Sequence, residues 1–139
     1  APSNPGLKAT WYDFKGKTCA EIAAAPVKNT YRVEDVTIPR GVKSYIIGLT
    51  YKGYINIPED GIYSFYLSSD DGSMLYIDGK QVIDNDGLHA PGEVTGQAAL
   101  KQGYHPIEVQ YFDHGGGSIH LKVCGNDGKE IPFTYLYAH

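Results

Sequence analysis

The chain has 139 residues, 42% of them hydrophobic and 20% charged, with a formal net charge of −4 and a pI near 5.7. A chain of this size buries about two-thirds of its unfolded surface, so a self-standing core is expected, and the ordinary composition excludes a disordered tail or a coiled coil. The acidic balance and the lack of a Lys/Arg run exclude a surface that tracks a phosphate backbone, so nucleic acid is not an expected partner; no apolar run reaches the roughly 20 residues of a membrane span.

The 12 Tyr and 17 Gly, set among short apolar runs, favour strands joined by tight turns. The opening "APSNPG", residues 1–6, lacks the basic and apolar regions of a signal peptide and reads as the linker-like start of a mature or excised piece. "ATWYDF" follows as a first strand. "CAEIAAA", from Cys19 to Ala25, is the one helix-like segment, and Pro26 stops it. "SYIIGLTYKGYINI", from Ser44, reads as a long strand that ends before the Asp60-Gly61 turn. In "GIYSFYLSS" the residues Tyr63, Phe65 and Leu67 oppose Ile62, Ser64 and Tyr66, an apolar pattern on both sides that suits a central strand between two layers.

"MLYIDGKQVI" predicts a hairpin, because Asp78-Gly79 supplies the two positive-φ positions of a type I′ turn. "DNDG", Asp84 to Gly87, begins like an EF-hand loop but lacks the ligand spacing and closing Glu, so it reads as a turn. "EVTGQAAL" is a further strand. "HPIEVQYFD" places Ile107, Val109 and Tyr111 on one face and Glu108 and Gln110 on the other; "SIHLKV" does the same with Ile119, Leu121 and Val123 against His120 and Lys122. With turn signals recurring at about 8 to 12 residues, the expectation is one all-β domain over residues 1–139, an antiparallel β-sandwich with one short helical segment.

Two readings of the aspartates stand side by side. Asp70, Asp71, Asp78, Asp84 and Asp86 crowd into one short region, and Asp and Gly are common turn residues that bond their own backbone. Consecutive side chains of an extended chain point to opposite faces, so Asp70 and Asp71 grip one ion only if the backbone bends between them. Given that bend, a Ca2+ ion, which takes about 6 to 8 oxygen ligands, suits such a set. Cys19 and Cys124 belong to no CxxC pattern and form either one disulfide or two buried thiols. Among His89, His105, His114, His120 and His139 no pair has zinc-motif spacing; His105 and His120 fall on strands in exposed or hydrogen-bonded roles. Trp11 and the tyrosines read as core before they read as a sugar platform. There is no G-x-S-x-G, P-loop or dinucleotide fingerprint, and a non-catalytic module is expected.

Taken together, "GLKATWYDF", "GIYSFYLSSDDGSMLYIDGKQVIDNDGLH" and "LKQGYHPIEVQYFDHGGGSIHLKV" closely resemble the PA14 domain, over essentially the whole chain. The resemblance implies a β-sandwich module of the kind found in bacterial glycoside hydrolases such as β-hexosaminidases and β-glucosidases, in fungal adhesins and in some toxins. In the lectin members two consecutive aspartates joined by a cis peptide, with a side chain and carbonyls of a later loop, bind Ca2+, and sugar hydroxyls complete the shell. Carried over, this implies Asp70, Asp71 and Asp113 as side-chain ligands, with Gly115 and Gly117 as carbonyl donors. Asp70 and Asp71 would also meet the sugar, with Asp86, Leu88, His89 and His114 as further contacts or supports.

The function so implied is a non-catalytic, Ca2+-dependent carbohydrate-binding module of a secreted bacterial glycoside hydrolase with a β-hexosaminidase-like parent, extracellular or periplasmic. Its partners would be a glycan or oligosaccharide and the parent's catalytic domain. The alternative is a structural accessory domain that shapes access to the parent's active site without sugar affinity. A protein-interaction or pro-domain role is a third reading, which an exposed apolar patch would favour.

Overall fold

Alternation of apolar and polar residues builds two antiparallel sheets that face each other across a shared core. The computed structural model describes residues 4–43, 46–132 and 134–137; the expected strand start at Ser44 and Tyr45, and His139, lie outside them. The strands are β1 (Asn4–Pro5), β2 (Leu7–Tyr12), β3 (Val27–Val33), β4 (Ile46–Ile57), β5 (Gly61–Ser69), β6 (Ser73–Ile77), β7 (Lys80–Asn85), β8 (Gly92–Leu100), β9 (Gly103–His114), β10 (Ile119–Cys124) and β11 (Tyr135–Tyr137). The larger sheet runs β1-β11-β4-β9-β6-β7, with β2 also on β4 and β3 on β2; the smaller runs β10-β5-β8. On one edge β4 pairs first with β2, through Gly48 to Lys52, and then with β11, through Tyr54 and Ile55.

The core comes from one face of each sheet. Leu49, Tyr51, Leu75, Val109 and Tyr111 of the larger sheet meet Tyr63, Phe65, Leu67, Leu121 and Val123 of the smaller, and all are buried. Each such side chain contributes about 1.5 to 3 kcal/mol by leaving water. The buried tyrosines keep their hydroxyls bonded, Tyr51 to Thr37 O at 2.8 Å and Tyr111 to Asp70 O at 2.9 Å, which removes the cost of an unpaired donor. The helix-like segment is a 3-10 helix, Cys19–Ala24, laid on the outward face of the larger sheet. There Phe14, Cys19, Ile22, Met74 and Phe112 form a second, smaller cluster.

The Asp78-Gly79 hairpin forms as expected, with φ of 55° and 75° at its two turn residues and Ile77 opposite Lys80. The central-strand expectation for β5 needs a correction. It is central within its sheet, but only one face is covered: Ile62 is 53% exposed, and the Tyr66 ring is shielded by the Lys122 ammonium, 4.5 Å from its centroid, rather than by a second layer. Cys19 and Cys124 are both free and buried, so the two-thiol alternative holds. Among the described residues no helix is long and apolar enough to cross a membrane.

Candidate functional site

Ser69 ends β5 in the smaller sheet and Ser73 begins β6 in the larger one, so residues 70–72 must carry the chain from sheet to sheet at one end of the sandwich. Backbone bonds tie this crossing to both sides. Asp70 N donates to Ser118 O at 3.0 Å, Asp71 N to Phe112 O at 3.2 Å, and Phe112 N to Gly72 O at 3.0 Å. The Asp70-Asp71 peptide is cis. Gly72 has no room for a side chain, since a Cβ would lie 2.5 Å from the Phe112 ring and 2.7 Å from Gly87 N.

Loops 86–91 and 115–118 close over the same end. Both gather on the Asp71 carboxylate: Oδ1 accepts from His89 N at 3.1 Å and Oδ2 from His114 N at 3.0 Å. Asp113, at the end of β9, is 2% exposed and accepts from the backbone N–H groups of Gly115, at 3.2 Å, and Gly117. Carboxylate oxygens of Asp70, Asp71 and Asp113 all lie within 4.8 Å of one another. Gly117 passes so close that a Cβ there would sit 2.0 Å from Asp70 O, so any larger residue displaces the loop.

The electrostatics of this cluster are unfavourable to bare carboxylates. Desolvation, and then the neighbouring Asp71 carboxylate, push Asp70 above the usual carboxylate range. Burial raises Asp113 as well; the Gly115 and Gly117 amides work against the rise, and Asp71 and Asp70 add to it. The local compensation comes from backbone N–H donors and from the nearby His89 ring, which works against the rise of Asp70. Oxygens that share one Ca2+ at about 2.3 to 2.6 Å lie within about 5 Å of each other, which the observed 4.8 Å spread satisfies. Three hard carboxylate donors exceed the charge of that cation by one, and the residues present fit it.

The other expected sugar contacts are brought to the same end, with their side chains engaged in holding the loops. Asp86 points to the 3-10 helix, where its Oδ1 accepts from Cys19 N at 2.9 Å and Gly87 N at 2.8 Å. The His89 ring sits between Ala90 O, 2.7 Å from Nδ1, and Asn85 O, 2.8 Å from Nε2. His114 turns its Nε2 to Gly16 O at 2.6 Å and sets its ring edge-on to Phe112. Leu88 is 51% exposed beside them. Gly115 and Gly117 face Asp113 with their N–H groups.

Behind the aspartates lies a buried polar set that sequence reasoning missed. Ser69 Oγ donates to Asp71 O at 2.8 Å and meets Ser73 Oγ at 2.6 Å, while Asn85 Nδ2 donates to Leu67 O, Ser69 Oγ and Gly92 O at 3.2 to 3.3 Å. The available signal is parity. Ser69 continues the inward series Tyr63, Phe65, Leu67; Ser73 shares its face with Leu75 and Ile77; Asn85 follows Ile83. A polar residue at a core-facing position needs a partner, and here the partners fix the turn that carries the site.

Fold and site define a two-sheet β-module whose loops gather three carboxylates at one end. The chain belongs to the PA14 domain family, whose model matches residues 3–135. It is 36% identical over 77 residues to a beta-hexosaminidase of Porphyromonas gingivalis, an alignment covering 55% of this chain and 9% of that protein. It is 41% identical over 68 residues to an alpha-agarase of Thalassotalea agarivorans, covering 49% of this chain and 4% of that one. The chain thus matches only a small part of either enzyme. Among solved structures, the PA14 sugar-binding domain from an RTX adhesin superposes with a TM-score of 0.81 at 17% identity, over 99% of this chain and 100% of that one, a likeness of fold.

Proposed function

We propose that this domain is a non-catalytic, Ca2+-dependent carbohydrate-binding module of a secreted bacterial glycoside hydrolase with a β-hexosaminidase-type parent. The observation that carries the reading is the convergence of Asp70, Asp71 and Asp113 within 4.8 Å. Asp113 supplies the buried wall of the site, Asp70 and Asp71 its more open side, and Gly115 and Gly117 carbonyls the remaining protein oxygens. Asp86, His89 and His114 support it by fixing loops 86–91 and 115–118, with Leu88 exposed at its edge. A bound Ca2+ supplies open coordination positions for vicinal sugar hydroxyls. The match to parts of a beta-hexosaminidase and an alpha-agarase supports a place beside a glycan-cleaving domain.

The test is calorimetric titration of Ca2+ into the metal-free domain and into Asp70→Ala and Asp71→Ala, followed by a glycan array with and without chelator. Saturable Ca2+ binding that both substitutions weaken, with a glycan signal lost in chelator, supports the reading. Absence of both sinks it and leaves the accessory-domain role, which deletion from the parent enzyme would reveal as altered substrate range.

A further inference from the structure

A second recessed surface lies on the outward face of the larger sheet, well away from the aspartates. The 3-10 helix covers one end of that face, over Met74 and Phe112, and leaves the other end open as a cleft of about 600 Å³. Cross-strand pairing sets one row of it: Lys8 opposite Lys52, Lys52 opposite Glu108, and Glu108 opposite Tyr76. Tyr54, opposite Pro106, and Tyr137 flank the row. Glu108 lies five residues before Asp113 on β9, about 17 Å at ~3.4 Å per residue, and points to the other side of the sheet.

Two features of the cleft point to a ligand. Lys8 and Lys52 are like charges directly opposite each other, and the one carboxylate of the row, Glu108, faces Lys52 alone, so one positive charge is left over on the Lys8 side. Both are exposed and neither has an ion pair among the described residues, while Glu108 is hydrogen-bonded to the Gln110 amide at 2.8 Å. The half-buried tyrosines add apolar ring faces with hydroxyls at their rims, the combination that accepts a pyranose ring. The volume, about 600 Å³, lies within the range of about 300 to 1,000 Å³ that holds a small ligand, and the cleft is open and shallow, as suits a stretch of an oligosaccharide chain.

We propose that this cleft is a second, metal-independent glycan site for an acidic oligosaccharide. The Lys8–Lys52 pair holds a carboxylate or sulfate substituent, Tyr54 and Tyr76 pack against sugar rings, and the Glu108–Gln110 pair bonds hydroxyls. The site uses none of the aspartates, so it stands or falls apart from the Ca2+ reading. A single-chain module with two glycan sites on different faces would hold two chains, or two stretches of one chain, at once.

The experiment is calorimetry on the domain in EDTA with three hexasaccharides: an oligogalacturonate, a sulfated galactan and a neutral agaro-oligosaccharide. At least one acidic ligand is expected to bind saturably, more weakly as NaCl rises, and the neutral one roughly tenfold less tightly or not at all. Which acidic ligand binds separates carboxylate from sulfate recognition. Lys52→Gln and Tyr54→Ala are each expected to weaken that binding about tenfold while Lys52→Gln leaves Ca2+ titration unchanged. No saturable binding by either acidic ligand in EDTA, or affinities that neither substitution alters, would overturn the proposal.

Discussion

Strand β6 is bounded by two aspartate turns that share a chemistry and end differently. At Asp78-Gly79 the carboxylate meets the His105 Nδ1 at 2.9 Å, while Nε2 of the same ring faces Lys101 O at 2.7 Å. With acceptors at both nitrogens, the ring is best satisfied as imidazolium. Desolvation pulls it down, but the Lys101 carbonyl and the Asp78 carboxylate outweigh that and raise it. At Asp70-Asp71 two carboxylates meet a third, Asp113, and the donors that reach Asp71 and Asp113 are neutral backbone N–H groups. One turn has its counter-charge built in; the other has charge left over for a ligand from outside.

Substitutions can break that contrast, and the largest effect belongs to Asp71. Asp71→Ala removes a carboxylate and the anchor of both loops, so Ca2+ affinity should fall by about a hundredfold in calorimetry. Asn85→Leu strips partners from Leu67 O, Gly92 O and Ser69, and urea unfolding should show a loss of about 2 kcal/mol, with weaker Ca2+ binding as a secondary effect. Gly117→Ala drives a Cβ against Asp70 O, a backbone oxygen that the Tyr111 hydroxyl also bonds, so the loop must shift; Ca2+ affinity should drop about tenfold and the melting temperature should fall with it.

The paired turn offers a smaller, pH-dependent handle. A histidine raised on folding contributes stability below its unfolded value near 6.5, and that contribution is lost as pH rises through the raised value. The melting temperature in chelator should therefore fall between about pH 6 and 8, and His105→Gln should flatten part of that slope, while His89, raised likewise, supplies another part. An unaltered slope would remove His105 from the account. Smallest of all is Asp84→Ala, which loses an exposed bond to Asp86 N; thermal melts should place it within about 0.5 kcal/mol of wild type.

Local signals made much of this legible. The Asp78-Gly79 turn, the clean alternation of β9 and β10 and the Pro26 stop all act over a few residues, and the structure repeats them. Strand β3 went unread although Val27, Asn29, Tyr31 and Val33 alternate with Lys28, Thr30 and Arg32, because most of its residues are exposed and the hydrophobic contrast is faint. β1 and β11 are too short to show any period and exist by pairing with each other and with β4. At the site, the aspartate pair stood out as a motif. What it holds did not, since His114 N reaches Asp71 across 43 residues and Cys19 N reaches Asp86 across 67. Contacts of that length belong to the fold and leave no local pattern.

The two thiols carry a practical consequence of their own. Cys19 is 1% exposed in the cluster beneath the 3-10 helix, and burial with the nearby Asp86 raises it far above the ordinary thiol range, so it is held as the unreactive thiol. Cys124 is 5% exposed at the far end of the smaller sheet. An alkylating reagent thus reaches either sulfur only when its surroundings part. Timed labelling read by peptide mass would clock two events separately, the lifting of the 3-10 helix at Cys19 and the opening of the end of β10 at Cys124, with reporters the chain already contains.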